Sequence, residues 1–456
     1  MNARVETLTR PASGAAQSVR SRWGFPELFI VSQTALPALL YLPGSQQFRL
    51  PIRVSAFAIS LAAFAWWQIE SKIQVPASRA QSWLAAIMAL LALMLFHPQT
   101  STLYGGVAHI AVYFAVMAPL FWAPVFVRTP DRLARLLWLL LICSGINAVV
   151  GVLQVYDPGR FLPAEFSRVI TGNRDLGLDP VTFIGAHGER IVRPPGLFDT
   201  PGAVAGPGMS AALLGLIFAT SAIPFWKRLL SLGLAGAGLA AIYLSQVRIS
   251  LVMTGLMIMV YFLTTMRQQR FGRATQFGIL SGGILIGSFV LALTLGGPTI
   301  GDRVMTLFST DPISVYQNAR GVQLQITFRE LLFQHPFGAG LARWGMAASY
   351  FGLFTLDSPS LWAEIQFTGW MIDGGVLLIA LYCGALIVTT LSQWRIATTS
   401  SDGRLATCAA VVMSTNLGVA ALIFSFTPFN TQIGIQYWFF AGALHGVACS
   451  YGTEGA

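Results

Sequence analysis

Charge is scarce in this sequence. Only 10% of the 456 residues are charged and 55% are hydrophobic, whereas soluble domains carry about 25% charged residues. Lysine is almost absent, because Lys72 and Lys227 are the only two and the rest of the 28 basic residues are arginine. This composition excludes an ordinary soluble domain and indicates a protein that crosses a membrane several times.

Metal-binding and disulfide patterns are also missing. The four cysteines all fall in apolar segments, at spacings that fit neither a disulfide framework nor a metal site. No Asp-x-Asp motif and no histidine cluster is present to bind a cation. Residues 1–25 contain no apolar run that ends in a cleavage site, which is typical of a cytoplasmic tail rather than a signal peptide. We therefore expect neither a metal nor a cofactor.

The net charge of +10 does not indicate a nucleic-acid-binding protein. The basic residues are scattered between apolar segments and form no continuous basic stripe. Arginine contacts phosphate with two parallel hydrogen bonds, so anionic lipids or a phosphate-bearing substrate suit this chain better.

Long apolar runs occupy most of the chain. A bilayer core requires about 20 mostly apolar residues per helix, and about twelve segments meet this requirement. They are 26–43, 51–69, 83–97, 104–126, 134–156, 203–223, 229–246, 249–266, 276–296, 371–391, 405–424 and 432–450. The run from 229 to 266 is too long for one crossing, and we divide it at Gln246 and Arg248. We predict an all-α polytopic membrane protein in which residues 26–456 form a single integral membrane domain.

Two polar segments, 157–202 and 297–370, cannot lie in lipid. Lysine and arginine mark the cytoplasmic side of short loops, and this rule orients both termini toward the cytoplasm and both polar segments toward the outside. Arg248 lies on the outer side as well. The chemistry is therefore expected at the outer face of the membrane.

The second polar segment is predicted to contain an amphipathic helix. Asp311 and Pro312 are a typical helix start, and His335 followed by Pro336 ends the helix. Five polar residues then share one face at spacings of three and four: Arg320, Gln323, Thr327, Glu330 and Gln334. This pattern is typical of a helix that lies over the membrane face.

Four short motifs occur in a characteristic order. They are Arg193-Pro194-Pro195-Gly196, Ser245-Gln246-Val247-Arg248, the loop residue Arg320, and His335-Pro336-Phe337-Gly338-Ala339-Gly340. Their order and sidedness resemble the bacterial O-antigen ligase and O-antigen polymerase family. Its shared region has a Ser-Arg at a helix start, a loop Arg and a His-Pro-x-Gly-x-Gly turn. The resemblance covers roughly residues 190 to 390, together with the layout of twelve spans and one large outside loop.

The resemblance implies a membrane glycosyltransferase. Members of the family work at the periplasmic face of the inner membrane on glycans carried by undecaprenyl diphosphate. By resemblance, Arg193, Arg248 and Arg320 bind the diphosphate of the donor. Fixed guanidinium groups stabilise the charge that develops on the leaving diphosphate, so the reaction needs no metal. The implied partners are the undecaprenyl-diphosphate-linked glycan donor, a lipid-linked sugar acceptor, membrane lipids, and polysaccharide-export or chain-length proteins.

One departure from the family pattern concerns the catalytic base. The ligase branch has a His-Asn-type motif at a fixed distance before a glycine that opens the next span. The corresponding positions here hold Glu364 and Ser358, and the only histidine of the large loop is His335. We therefore take Glu364 and His335 as candidates for the base that activates an acceptor hydroxyl. The departure favours an inverting O-antigen or exopolysaccharide polymerase, with an O-antigen ligase that transfers to lipid A core as the alternative.

Each candidate residue also has a structural interpretation. Arg193 and Arg248 can anchor to lipid headgroups, and Arg320 can lie on a solvated face. Glu364 can pair with a loop arginine, and His335 can cap the end of a helix.

A transporter of small solutes is the alternative from another class. Transporters commonly have twelve spans, with ionisable residues or broken helices near the midplane. The predicted spans here are almost free of charge, which favours chemistry at the surface of the membrane.

Overall fold

The computed structural model describes most of the chain. The described residues are 23–70, 75–163, 181–184, 188, 190–309, 311, 314, 316–354 and 360–452. The predicted cytoplasmic tail, apart from residues 23–25, lies outside them, as does Ser358.

Helices form nearly all of the described structure. They are α1 Phe25–Ala38, α2 Arg49–Glu70, α3 Arg79–Met94, α4 Leu103–Met117, α5 Pro119–Phe126, α6 Pro130–Tyr156, α7 Pro158–Phe161, α8 Ala205–Ala219, α9 Phe225–Ser245, α10 Arg248–Arg267, α11 Phe271–Gly296, α12 Pro298–Ser309, α13 (Gln317–Gly321, Val322–Ile326, Thr327–Leu331 and Leu332–Gln334 in direct succession), α14 Gly345–Phe351, α15 Gln366–Thr399, α16 Gly403–Ala421 and α17 Gln432–Ser450. Short 3-10 turns occur at Leu39–Tyr41, Ser45–Phe48, Leu422–Phe424 and Pro428–Asn430. A two-stranded antiparallel sheet pairs β1 (Thr182–Ile184) with β2 (Arg190–Val192).

Side-chain caps define where several helices begin. The oxygen of a Ser, Thr or Asp accepts from a backbone N–H of the first turn, which otherwise has no partner within the helix. The capping residues are Ser78 for α3, Thr102 for α4, Thr129 for α6, Asp402 for α16 and Thr431 for α17.

Each of the twelve predicted apolar segments contains at least one helix. Within the described residues, eight helical segments are both long and apolar enough to cross a membrane: Arg49–Ile69, Leu103–Phe126, Pro130–Tyr156, Phe225–Ser245, Arg248–Arg267, Phe271–Gly296, Gln366–Thr399 and Gly403–Phe424. The helices α3 and α8 are apolar but shorter. The all-α membrane architecture is therefore confirmed, whereas twelve crossings, their orientation and the identity of the membrane stay predictions.

Glycine contacts bring α8 and α9 together. A Cβ atom added at Gly238 would lie 2.7 Å from the carbonyl oxygen of Gly208, and one added at Gly215 would lie 2.5 Å from that of Ser231. Small residues of this kind allow the backbones of membrane helices to approach closely. The long apolar run is divided as predicted, since α9 ends at Ser245 and α10 begins at Arg248.

Aromatic rings fill the core between α15 and α17. Trp370 of α15 stacks on Tyr382 of the same helix, with 4.3 Å between ring centroids. Phe429 packs on both rings, and Trp438 of α17 packs beside Tyr382. These contacts hold α15 and α17 in fixed positions below the loops.

The helix α15 is broken at Gly374 and Gly375, and the turn formed by residues 335–340 is inserted into the break. Gly375 has φ 63° and ψ −155°, a conformation essentially restricted to glycine. The freed backbone groups bond to the turn instead, because Ala339 N donates to the carbonyl of Ile372 at 2.6 Å and Val376 N donates to that of Pro336 at 3.0 Å. The two glycines of the turn are required for this packing, because Gly338 and Gly340 have φ values of 99° and 90°.

Part of the polar face of α13 packs against α15. Gln323 and Thr327 are buried against the start of α15, where the hydroxyls of Thr327 and Thr368 bond at 2.7 Å. Gln323 Oε1 accepts from the backbone N–H of Glu364 at 3.2 Å. Two of the four pieces of α13 are π-helical turns, which alters the spacing of side chains around the helix. Part of the polar face therefore binds protein, and the position of the helix over the membrane face stays a prediction.

Candidate functional site

Buried polar side chains fix the segment that carries Arg193. The carbonyl of Gly196 accepts from Tyr41 Oη at 2.6 Å and from Gln154 Nε2 at 2.9 Å. The backbone N–H of Gly196 donates to Gln154 Oε1 at 2.9 Å, and that of Leu197 donates to Asn147 Oδ1 at 3.2 Å. The structure thus attaches the segment firmly to α6, rather than leaving it as a mobile loop.

Asp199 attaches the same segment to α2. Its carboxylate accepts from Arg49 Nε at 2.5 Å and also pairs with Arg53. Burial alone would raise the pKa of Asp199, but the guanidinium groups of Arg53 and Arg49 outweigh it, and the pKa lies below its ordinary value. Asp199 is therefore ionised at neutral pH and holds two arginines at the start of α2.

Arg193 and Arg248 are brought to the same turn. Arg193 Nε donates to the carbonyl of Ser245, the last residue of α9, at 3.3 Å. Arg248 is the first residue of α10, three positions later. A Cβ atom at Gly202 would lie 3.2 Å from Arg193 Nη2 and 3.1 Å from Val247. The segment that carries Arg193 therefore contacts the turn that leads into Arg248.

Arg320 and Glu364 form an ion pair between α13 and the residues just before α15. The two side chains are 40% and 37% exposed, so the pair lies at the surface of the protein and remains accessible. Partial burial lowers the pKa of Arg320 from its ordinary value. Two residues that were singled out separately from the sequence thus meet, and Glu364 has the loop-arginine partner that its structural interpretation anticipated.

Half-exposed aromatic rings continue from this ion pair toward the membrane helices. Phe328 of α13 packs on Phe367 of α15, and Phe367 packs on Phe424, both with 5.6 Å between centroids. Tyr316 Oη donates to the carbonyl of Phe424 at 2.7 Å. An apolar surface therefore adjoins the charged pair.

His335 lies in a different environment. The backbone N–H of His335 donates to the carbonyl of Leu331 at 2.7 Å and closes the last turn of α13. The pKa of His335 is lowered by burial, by the positive charge of Arg343 and by His97. The pKa of His97 is lowered by burial and by Arg343. His335 is therefore a neutral residue at the end of α13, beside a second histidine.

A buried polar network lies beneath the 335–340 turn. The carboxylate of Asp373 accepts from Tyr113 Oη at 2.7 Å and from Trp344 Nε1 at 2.9 Å, and it lies 3.6 Å from His109 Nε2. His109 Nδ1 accepts from the backbone N–H of Ala342 at 3.1 Å, which places its proton on Nε2, toward Asp373. The sequence analysis identified neither Asp373 nor His109 as a candidate residue. An ionisable residue inside an apolar segment was the available signal.

Metal ligands do not cluster in the part of the chain that the structure describes. No group of three or more His, Cys, Asp or Glu side chains is arranged there to hold a metal ion.

Comparisons with known proteins identify no relative of this chain. No family model matches the chain, and no curated protein matches it. The assignment of function therefore rests on the motifs and on the contacts described above.

Proposed function

We propose that this chain is an inner-membrane glycosyltransferase that polymerises glycans carried on undecaprenyl diphosphate. The observation that carries the proposal is the contact between Arg320 and Glu364. It joins a cation suited to the leaving diphosphate with a carboxylate suited to an acceptor hydroxyl. The approach of Arg193 to the turn that ends at Arg248 supports it further.

The reaction is a single displacement at the anomeric carbon of the donor sugar. The acceptor hydroxyl oxygen forms the new glycosidic bond while the bond from the anomeric carbon to the diphosphate oxygen breaks. Glu364 takes the hydroxyl proton, and the diphosphate leaves with the bonding electron pair. Arg193, Arg248 and Arg320 stabilise the charge on the diphosphate. One displacement inverts the configuration at that carbon.

The ion pair couples donor binding to activation of the base. In the structure the carboxylate of Glu364 is occupied by Arg320. A diphosphate that binds Arg320 competes for the guanidinium and releases the carboxylate. Glu364 then becomes available to the acceptor only when a donor is present, which limits hydrolysis of the donor by water.

Glu364 is a better candidate for the base than His335. His335 lies beside Arg343 and His97, and the 335–340 turn is held inside the break of α15. Its backbone therefore has a packing role. We assign the proton transfer to Glu364 and keep His335 as the second candidate.

A transporter is the second candidate function, because α15 is broken next to a buried ionisable residue. Asp373 is completely buried directly before the break, and His109 faces it. Broken helices with buried ionisable groups commonly bind transported solutes. Here, however, the break is filled by the 335–340 turn, and the Asp373 carboxylate already accepts from Tyr113 and Trp344. These contacts favour a structural role for the break.

Glycan chain length in cells tests the proposal. A deletion strain is complemented with wild type, Arg193→Ala, Arg248→Ala or Glu364→Gln, and the protein level in the membrane is measured. We expect the deletion and the variants to accumulate lipid-linked single repeat units. Accumulation of long lipid-linked chains would instead identify a ligase that transfers to lipid A core. Unchanged glycans in every strain would exclude a transferase and favour the transporter.

A further inference from the structure

Gln246 reverses the chain between α9 and α10. Its φ of 58° lies in the left-handed region, which glutamine rarely adopts. It directly follows Ser245, whose carbonyl binds Arg193, and comes two residues before Arg248. Residues held in such sparsely populated conformations persist only where the surrounding structure imposes them, and they cluster at ligand sites.

The side-chain amide of Gln246 is buried and unsatisfied. The residue is 8% exposed, and neither Oε1 nor Nε2 bonds to any residue that the structure describes. Buried amides nearly always have partners, because an unsatisfied one has lost its bonds to water without replacement. Gln246 lines a small cavity of about 20 Å³ with Val247 and Arg248, and this cavity holds a water molecule but not a diphosphate. A diphosphate can therefore contact the amide only after the side chain turns out of this cavity.

The start of α10 supplies further donors at the same place. Val247 precedes the first turn and has no side-chain oxygen with which to cap it. The helix is 20 residues long, and its dipole favours a negative charge at this end. Arg193 and Arg248 add positive charge beside it.

We propose that Gln246 is a ligand-binding residue whose amide donates to a phosphate oxygen of an isoprenyl diphosphate held beside Arg193 and Arg248. The inference rests on the proposed function, because it adds a residue to the diphosphate site. A free diphosphate presents the same oxygens, and the isoprenyl chain distinguishes the two sources.

Binding and stability measured together test the inference. Full-length wild type and Gln246→Met are compared in detergent for binding of farnesyl diphosphate and inorganic pyrophosphate, and for thermal unfolding without ligand. Methionine has a side chain of similar length to glutamine but no amide. We expect Gln246→Met to bind farnesyl diphosphate about tenfold more weakly. Without ligand it should unfold at the same or a higher temperature, because an unsatisfied buried amide has been removed. Gln246→Glu should weaken binding further, since its carboxylate repels phosphate.

The outcomes of this experiment distinguish a failure of this inference from a failure of the proposed function. Wild-type affinity in Gln246→Met overturns the inference, and a lower unfolding temperature with unchanged affinity would show that an internal water is the partner. If Arg193→Ala and Arg248→Ala lose binding while Gln246→Met does not, the diphosphate site stands without Gln246. If wild type binds neither probe, both proposals fail. Equal affinity for pyrophosphate and farnesyl diphosphate would support the phosphate contact and overturn the isoprenyl ligand.

Discussion

The guanidinium of Arg320 contacts the carboxylate of Glu364, and this contact links α13 to the residues just before α15. Behind it, the Gln323 side chain accepts from the Glu364 backbone, and the Thr327 and Thr368 hydroxyls bond to each other. The ion pair is thus exposed, whereas the residues behind it are packed and hydrogen-bonded. Its chemical role can therefore be separated from its structural role.

Exchange of the two charges separates these roles. We expect the double variant Arg320→Glu/Glu364→Arg to fold as wild type, because an ion pair this exposed contributes only about 0–1 kcal/mol. Its glycan polymerisation should be lost, because the carboxylate and the guanidinium then occupy each other's positions. Chain length and thermal unfolding are measured on the same preparations. Polymerisation by the double variant at the wild-type level would show that the ion pair has only a structural role.

Asp199→Asn is expected to destabilise the protein by about 3 kcal/mol, because it leaves the buried Arg49 without its counter-charge. The pKa of Asp199 is below its ordinary value of 3.8 in the folded state. Its contribution is therefore present above about pH 4 and is lost as the pH falls through the folded pKa. Unfolding temperatures measured from pH 7 downward should fall less steeply in Asp199→Asn than in wild type. Asp131→Asn removes a well-exposed ion pair with Arg404 and serves as the control, with little change expected.

Gly375→Ala tests the insertion of the 335–340 turn into α15. A Cβ at Gly375 would overlap the carbonyl oxygen of Pro336, and its φ of 63° disfavours alanine. We expect a loss of more than about 2 kcal/mol of stability, since backbone strain adds to the overlap. Gly283→Ala is the matched control, because nothing lies within 4 Å of a Cβ there. It should be neutral or stabilising by up to about 1 kcal/mol. Equal unfolding temperatures for the two variants would contradict the close packing.

The two histidines near Arg343 should respond to removal of its charge. Burial and Arg343 lower the pKa of both His97 and His335. Arg343→Met is therefore expected to raise both values, which can be followed by pH-dependent hydrogen–deuterium exchange at the imidazole C2 atoms. Because the unfolded state binds more protons than the folded state below about pH 6.5, these histidines reduce stability as the pH falls below that value. Lower imidazole pKa values in Arg343→Met would contradict this electrostatic interpretation.

The helices were predictable because lipid burial demands long apolar runs, and the division at Gln246 and Arg248 followed from the length of one run. The packing role of the glycines in the 335–340 turn could not be predicted from the sequence. It depends on a break in α15, which lies far along the chain. The contact between Asp373 and His109 was also missed, because each is the only Asp, Glu, His, Lys or Arg in its own apolar segment. The spacing of polar residues in α13 indicated an amphipathic helix. It did not indicate that Gln323 would bind the backbone of Glu364.

The most direct test of the account is in vitro extension of a lipid-linked repeat unit by purified protein, with wild type and Glu364→Gln compared. We predict that wild type produces lipid-linked chains longer than one unit. Glu364→Gln should bind farnesyl diphosphate at least as well as wild type, while its kcat falls about 10²- to 10⁴-fold, the range for loss of a general base. Chain extension by Glu364→Gln at the wild-type rate would contradict the assignment of Glu364. Failure of wild type to extend the unit would contradict the proposed polymerase.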